Sequence, residues 1–118
     1  MSTFDDAFRR DIEPVCGGWR AVNSTARRKI AGLVRGSRNF WIGIASNGVD
    51  GVRARWNAKY KGLGMDSIAI VYETSSDSFR KNIEDDLIEF FEDSCDNKVA
   101  GGGGGYGSAP YAVYVAWR

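Results

Sequence analysis

The stretch NFWIGIAS at residues 39–46 decides how the rest of the sequence is interpreted. Its apolar centre, residues 40–45, predicts a buried strand. The strand contains a glycine and runs into Asn47-Gly48, which is a turn signal. The arginine-bearing segment VRARW follows at residues 52–56. Such a strand end is either an ordinary turn or the floor of a functional site.

Outward from this strand, the hydrophobic pattern predicts four helices and two further strands. The helices are expected at 3–15, at 23–35, at 51–61 and from Ser75 or Ser76 onward, and the strands at 67–73 and 111–118. The fourth helix has the clearest periodicity, with its apolar positions at Phe79, Ile83, Leu87 and Phe90. A chain of 118 residues with this pattern is expected to form one domain.

The composition excludes several kinds of chemistry. The chain has no histidine, so Ser-His-Asp and Cys-His catalysis and the usual imidazole zinc sites are ruled out. A bound metal would have oxygen ligands, which favours Mg²⁺ or Mn²⁺. Residues 1–61 carry 12 Lys and Arg against 5 Asp and Glu, while residues 62–118 carry 4 against 10. The basic half could lie against a phosphate backbone, or the basic and acidic elements could face each other or simply be solvated.

The expected location of the chain is the cytoplasm. No apolar run approaches the roughly 20 residues of a membrane helix, and the N-terminus has no apolar signal core. Cys16 and Cys95 lie far apart in the sequence and are interpreted as free thiols in a reducing compartment.

Three charged residues are the first candidates for a site. Glu84 lies one step round the fourth helix from Ile83, so its carboxylate is expected at the edge of the apolar face. There it either pairs with a surface lysine or holds a divalent cation. Arg53 and Arg55 are two residues apart and cannot share a helix face, so one is expected near the sheet and the other in solvent. A guanidinium near the sheet could clamp a phosphate.

The order of these segments resembles the GIY-YIG nuclease superfamily. WIG at 41–43 resembles the family's Tyr-Ile-Gly motif, and the helix after it carries Arg55, or alternatively Arg53, at the place of the catalytic arginine. EDDLI at 84–88 resembles the family's Glu-x-x-Leu-Ile helix, and Asn97 resembles the asparagine that follows. The resemblance covers roughly residues 39–105.

The resemblance implies an α+β fold with a small three-stranded mixed or antiparallel sheet flanked by helices. The motif-bearing core would span 39–105, with 1–36 as an N-terminal helical extension and 106–118 as a C-terminal strand. It also implies a DNA endonuclease that cleaves phosphodiesters with one divalent cation, Mg²⁺ or Mn²⁺, held by Glu84. The arginine would bind the scissile phosphate, and one or more tyrosines would activate or orient the water.

Two departures from the family pattern affect the catalytic groups. Trp41 stands where the family has a tyrosine, and no Gly-Ile-Tyr strand precedes it. Our hypothesis is that the C-terminal segment 111–118 takes the place of that first strand by pairing with 40–45. Tyr114 or Tyr111 would then supply the missing phenol, with Tyr60 as a second candidate.

The remaining expectations concern the substrate and its contacts. Gly43 would let a phosphate and the arginine helix approach the strand end. The candidate nucleic-acid contacts are Arg53, Lys59, Lys61, Arg38 and Asn97. DNA is the expected partner, with a second copy of the chain or a partner protein providing specificity. The alternative is a catalytically inactive GIY-YIG-like module that binds nucleic acid or protein without cutting.

Overall fold

The computed structural model describes residues 3–92 and 107–118. In chain order its elements are α1 (Phe4–Ala7), β1 (Val15–Cys16), α2 (Trp19–Leu33), β2 (Phe40–Ala45), α3 (Gly48–Arg55), a π-helical turn (Trp56–Tyr60), β3 (Ser67–Thr74), α4 (Asp77–Phe90) and β4 (Tyr111–Trp117). The chain therefore has the expected α+β fold. None of the described helices is long and apolar enough to cross a membrane.

The sheet has four strands in the order β1-β3-β4-β2, rather than the three that were expected. β4 is antiparallel to both of its neighbours, and β1 is parallel to β3, so the sheet is mixed. The additional strand, β1, has only two residues. A strand of two residues has no sequence periodicity, which explains why the pattern did not predict it.

The last strand occupies an interior position in the sheet. β4 pairs with β2 from Phe40 opposite Trp117 to Ala45 opposite Ala112, so the predicted pairing of these two segments is confirmed. On its other side β4 pairs with β3. All of its residues from Ala112 to Trp117 are buried, as expected for an apolar strand covered on both faces.

Two apolar clusters lie on opposite faces of the sheet, because successive strand residues point to opposite sides. On one face α2 and α4 cover the sheet with Ala26, Ile30, Ile83, Leu87 and Ile88. On the other face α1, α3 and the π-helical turn cover it, with buried side chains that include Phe4, Val52, Trp56 and Tyr60. The candidate phenol Tyr114 belongs to this second cluster.

The expected helix at 3–15 is wrong beyond its first turn. The backbone becomes extended at Phe8, where it forms a bridge to Ile68 of β3. The Arg9 amide donates a hydrogen bond of 2.9 Å to the Ile68 carbonyl. Pro14 also disfavours helical geometry at the residue before it. The backbone of β3 therefore competes successfully for a segment whose local pattern is helical.

Helix boundaries elsewhere differ by a few residues from the prediction. α2 begins at Trp19, earlier than expected, and its Ala26 and Ile30 lie in the core. Segment 1–36 is therefore more than the helical extension that was expected. It adds β1 to the sheet, and its α2 covers one face of the sheet. α3 begins at Gly48 after Asn47, with Asp50 in its first turn. α4 begins as expected, with the Ser76 hydroxyl accepting a hydrogen bond from the Phe79 amide.

Candidate active site

Tyr114 and Gly43 form the centre of the candidate site. They lie opposite each other in the β2–β4 ladder, and the Tyr114 side chain crosses the space above Gly43. A Cβ at Gly43 would overlap with the hydroxyl and ring of Tyr114. The glycine is therefore required by a tyrosine on the neighbouring strand, whereas the sequence had suggested that it admits a phosphate.

A second phenol completes the pair. Tyr60 lies on the π-helical turn, and its hydroxyl is 2.8 Å from that of Tyr114. The two rings meet edge to face, with centroids 5.5 Å apart. Each phenol has one proton, so when one hydroxyl donates to the other, the accepting hydroxyl keeps its own proton for another acceptor. The pair can therefore donate one hydrogen bond to a group outside it.

Burial keeps both phenols protonated. Desolvation raises the pKa of Tyr60 above its usual value and raises that of Tyr114 well above it. For both hydroxyls, the positive charge of Arg55 lowers the pKa and the negative charge of Glu84 raises it. Arg55 and Glu84 therefore both lie within electrostatic range of the phenol pair. Arg55 is on the same side of the sheet as the phenols, whereas Glu84 belongs to α4, which covers the opposite face.

Arg55 is the half-buried member of this group. It lines a cleft of about 270 Å³ at the end of β2. The other lining residues are Ile44, Ala45, Ser46, Asn47, Gly51, Ala54 and Gly107. α3 approaches the strand end closely, since a Cβ at Gly51 would overlap with the Ser46 carbonyl oxygen. This packing holds the end of α3, where Arg55 lies, beside the cleft.

Arg53, the alternative catalytic arginine, lies elsewhere. Its guanidinium is 3.3 Å from the Asp50 carboxylate and 3.9 Å from that of Asp5, and it covers the Phe4 ring at 5.0 Å. Arg55 lines the cleft at the end of β2 and Arg53 does not, as expected for two arginines on different sides of a helix.

Glu84 is buried, whereas the sequence placed it at the edge of the apolar face. Only 2% of its surface is exposed. Desolvation raises the pKa of its carboxyl to about 7, with a further increase from Asp85 and opposing effects from Arg80, Lys81 and Arg55. The expected stripe differs because Phe79 and Phe90 are 37% and 54% exposed, so the buried face of α4 is rotated towards Glu84.

Arg80, which the sequence pattern did not predict as a site residue, is 4% exposed on the same face of α4 as Glu84. Its Nε donates a hydrogen bond of 2.6 Å to Asp77, and its guanidinium lies over the Tyr111 ring at 5.1 Å. The signal in the sequence was the four-residue spacing between Arg80 and Glu84, which places both on one helix face.

The acidic neighbours of Glu84, Asp85 and Asp86, are both partly buried. Asp86 accepts two hydrogen bonds from Arg27 of α2, at 3.1 and 2.7 Å. Asp85 lies 3.8 Å from Lys81, and its Oδ1 atom is buried without a hydrogen-bond partner. A surface lysine was one expected partner of Glu84. Lys81, which lies on the same helix, pairs with Asp85 instead.

Trp41 lies at the border of this cluster and contacts a candidate nucleic-acid residue. The ammonium of Lys59 lies over the Trp41 ring at 4.1 Å and is 5.4 Å from the Tyr60 centroid. Lys59 is exposed and Lys61 is partly buried. The Lys59 charge is thus brought next to the phenol pair.

The other candidate contacts are not brought to this group. Arg38 lines a separate cleft of about 330 Å³ with Ala31, Val34, Ser37, Phe40 and Phe91. Tyr111 donates a hydrogen bond to the Gly107 carbonyl, and its hydroxyl takes no part in the phenol pair. Asn97 and Cys95 lie outside the described residues. Cys16 is a free, exposed thiol.

The described acidic residues form no clustered cation site. Within 3–92 and 107–118, no three Cys, Asp or Glu side chains come together to hold a metal ion. Mg²⁺ commonly keeps several waters and binds through one or two carboxylates, so a single carboxylate can provide the protein's ligand to the ion. Glu84 fits that role, because a cation would offset the desolvation that raises its pKa.

Comparison with known proteins adds no relative, since the chain matches no protein-family model, no curated protein and no solved structure.

Proposed function

We propose that this chain is a metal-dependent DNA endonuclease of the GIY-YIG type that hydrolyses phosphodiester bonds with one divalent cation. In this proposal the strand order is permuted, so that β4 serves as the first strand of the family fold. The resemblance of WIG, Arg55 and Glu84 to the family motifs supports the assignment, as does the position of β4 between β2 and β3.

The observation that carries the proposal is the phenol pair formed by Tyr60 and Tyr114 above Gly43. The pair joins an inner strand of the sheet to the turn that follows the arginine helix. Trp41 has no hydroxyl, and Tyr114 supplies one directly opposite Gly43. The loss of the family tyrosine is therefore compensated from β4.

The proposed roles follow from the charge of each group. Arg55 binds the scissile phosphate, because a guanidinium matches two phosphate oxygens and neutralises charge that develops on them. The phenol pair stays protonated and donates a hydrogen bond, so it orients an oxygen and does not act as a base. Glu84 would hold Mg²⁺ or Mn²⁺, which supplies Lewis-acid stabilisation of the phosphoryl oxygens.

The approach of the substrate is through the cleft beside Arg55. Tyr60, Tyr114 and Glu84 are each 2% exposed, whereas Arg55 is partly exposed and lines that cleft. Lys59 is exposed beside the pair and adds positive charge near the same group. A phosphate that enters the cleft therefore meets Arg55 before the phenols.

Nicking of supercoiled plasmid in Mg²⁺ or Mn²⁺ tests the proposal. We expect the wild type to nick, and Arg55→Ala to lose roughly 100-fold or more in rate, as when one group that stabilises charge in the transition state is removed. Arg53→Ala is the matched control and should retain activity within a fewfold range, because Arg53 pairs with Asp5 and Asp50.

Glu84→Ala identifies the source of any activity. Loss of nicking in this variant supports the assigned site, and nicking that survives it indicates a contaminant or a different site. If Arg53→Ala and Arg55→Ala lose activity equally, the assignment of the phosphate clamp to Arg55 is wrong.

A second candidate function is binding without cleavage. The burial of Glu84 and both phenols favours this alternative, since a cation or a phosphate would reach them only if the surrounding residues moved. A wild type that binds DNA with a salt-dependent affinity, and that nicks no plasmid with either metal, would select this alternative.

A further inference from the structure

The outer face of α2 carries arginines separated by small residues. Arg20 and Arg28 are exposed, and the exposed positions between and beside them are Ala21, Ser24, Ala31 and Gly32. Ala26 and Ile30 on the opposite face are fully buried against the sheet. Arg35 and Arg38 follow the helix end and are also exposed. This outer surface, formed by Arg20, Arg28, Arg35 and Arg38, is called the α2 arginine face below.

Acidic residues are absent from this part of the sequence. Between Glu13 and Asp50 the chain has six basic residues and no acidic one. Within the described residues, no carboxylate forms an ion pair with any arginine of the α2 arginine face. Arg27 differs from them, because it turns towards α4 and pairs with Asp86 at 2.7 Å. The acidic helix α4 therefore forms one border of the face.

We propose that the α2 arginine face binds the phosphate backbone of a DNA duplex, as a contact surface separate from the candidate active site. Arg20 and Arg28 are eight residues apart, which is about 12 Å along the helix axis. This spacing is comparable to the major-groove width of about 12 Å, so the two guanidiniums can contact phosphates on both sides of the groove. The small side chains between them let the helix backbone approach the duplex.

The composition of the face favours nucleic acid over an anionic membrane. A helix that lies on a membrane inserts large apolar side chains beside its basic residues. The exposed positions of α2 next to the arginines are alanine, serine and glycine, and its apolar side is buried against the sheet. The basic residues are mostly arginines, whose planar fork matches phosphate oxygens.

The α2 arginine face is exposed on the outer side of its helix, so DNA binding there does not depend on cleavage. α2 packs Ala26 and Ile30 against the sheet face that α4, with Glu84, also covers. α3 and the π-helical turn, with Arg55 and Tyr60, cover the opposite face. The inference shares its ligand with the proposed endonuclease, but it requires no cation and no catalysis. It would stand even if the chain cut no DNA.

The test is fluorescence-anisotropy titration of a labelled 20-base-pair DNA duplex in EDTA, at several salt concentrations. The double variant Arg20→Gln with Arg28→Gln should bind roughly tenfold more weakly at low salt. The slope of log affinity against log salt should become shallower by about 2, because each phosphate contact contributes about 0.9.

The matched control is the double variant Arg9→Gln with Arg10→Gln. It removes the same charge, and Arg10 covers the Phe8 ring at 5.5 Å much as Arg20 covers the Trp19 ring at 5.3 Å. Arg9 and Arg10 already pair with Asp11 and Asp5, so this control should bind like the wild type. Thermal unfolding of each variant checks that the fold is retained.

Three results would overturn the inference. The first is a wild type that binds no DNA duplex, and the second is an equal loss of DNA affinity in the two double variants. The third is an Arg20/Arg28 variant that binds DNA normally but loses affinity for phosphatidylserine vesicles. A wild type that nicks no plasmid, but whose DNA binding depends on Arg20 and Arg28, would sustain the inference and refute the proposed cleavage.

Discussion

At the scale of single residues, Glu84 links stability to pH. Its carboxyl is neutral in the folded state up to a pKa of about 7, while in the unfolded chain it ionises near the usual value of 4.5. Between these values the folded state binds more protons. The contribution of Glu84 to stability is therefore complete at low pH, and it is lost as the pH rises towards 7.

This difference predicts the behaviour of Glu84→Gln. Relative to the variant, the wild type should lose about 3 kcal/mol of unfolding free energy between pH 4.5 and pH 7.5. Urea unfolding at several pH values measures the difference. Glu89→Gln is the matched control, because it removes an exposed carboxyl from the same helix. Parallel pH curves for the wild type and Glu84→Gln would contradict the assigned burial.

Gly43 and Tyr114 should show strong energetic coupling. Gly43→Ala places a methyl group against the Tyr114 ring and should cost about 1–3 kcal/mol. In a Tyr114→Leu background the same change should cost at least about 1 kcal/mol less, since the ring is gone. Chemical denaturation of the four proteins in this double-mutant cycle measures the coupling.

Gly32→Ala is the control for the glycine substitution itself. Nothing lies within 4 Å of a Cβ at Gly32, which is inside α2. The change should stabilise the protein by about 0.5–1 kcal/mol, because alanine favours a helix over glycine. If Gly43→Ala is as harmless as Gly32→Ala, the tight packing of Tyr114 on Gly43 is wrong.

The sequence named candidate site residues, but it did not predict their environment. Arg55, Glu84, Tyr60 and Tyr114 were named as candidates from their residue types and their spacing. The burial of Glu84 was not predicted, because a small rotation of α4 decides which residues face the sheet. Arg80 was missed for the same reason, since a charged residue is expected in solvent unless its partner is known.

At the scale of elements, the π-helical turn sets the direction of Tyr60. The Lys61 amide donates a 2.9 Å hydrogen bond to the Trp56 carbonyl, five residues earlier. A π-helical turn contains one residue more than an α-helical turn. Both Trp56 and Tyr60 are buried on the sheet side of this turn.

Deletion of the exposed Ala58 should convert this turn to α-helix. Because the π-helical turn already accommodates one additional residue, the residues after the deletion should keep roughly their direction relative to α3, and Tyr60 should still face Tyr114. We therefore expect plasmid nicking and helical circular dichroism to be retained. Ala58→Gly keeps the chain length and is the control. Loss of nicking in the deletion variant alone, with its fold retained, would show that the direction of Tyr60 depends on the additional residue.

The elements that the sequence predicted are those with enough residues to show a period. β2, β3, β4 and α4 each contain long apolar patterns, and their positions were predicted to within a few residues. The helix expected at 3–15 failed because Phe8 and Arg9 bond to the backbone of β3, a distant partner that local propensity does not contain. The π-helical turn has no sequence signature of its own.

At the scale of the whole molecule, the fold depends strongly on β4, because this last strand lies inside the sheet and not at its edge. β4 separates β2 from β3, and its residues from Ala112 to Trp117 are buried. Deletion of residues 109–118 should abolish cooperative unfolding, because both neighbours lose their ladder and both apolar clusters lose a wall. Circular dichroism and thermal unfolding measure this outcome, and a stable, folded truncation would contradict it.

A permuted chain separates the role of β4 in the sheet from its place in the sequence. Residues 107–118 are moved ahead of residues 1–92 through a Gly/Ser linker of about 20 residues, which exceeds the longest molecular dimension of 35 Å when extended. We expect a folded protein, because each strand can reach its native neighbours. Failure of this permutant to fold would mean that residues 93–106 or the native connection are required.

The interior position of β4 also has a consequence for protein synthesis. The ribosome completes β2 and β3 first, and β4 follows β3 only after 36 further residues. At about 5–20 residues per second this interval lasts about 2–7 s. During this interval β2 and β3 lack β4, so the edges that β4 later joins remain unpaired. Unpaired strand edges favour aggregation. The pace of translation between Thr74 and Tyr111 therefore sets how long the nascent chain is exposed to misassembly.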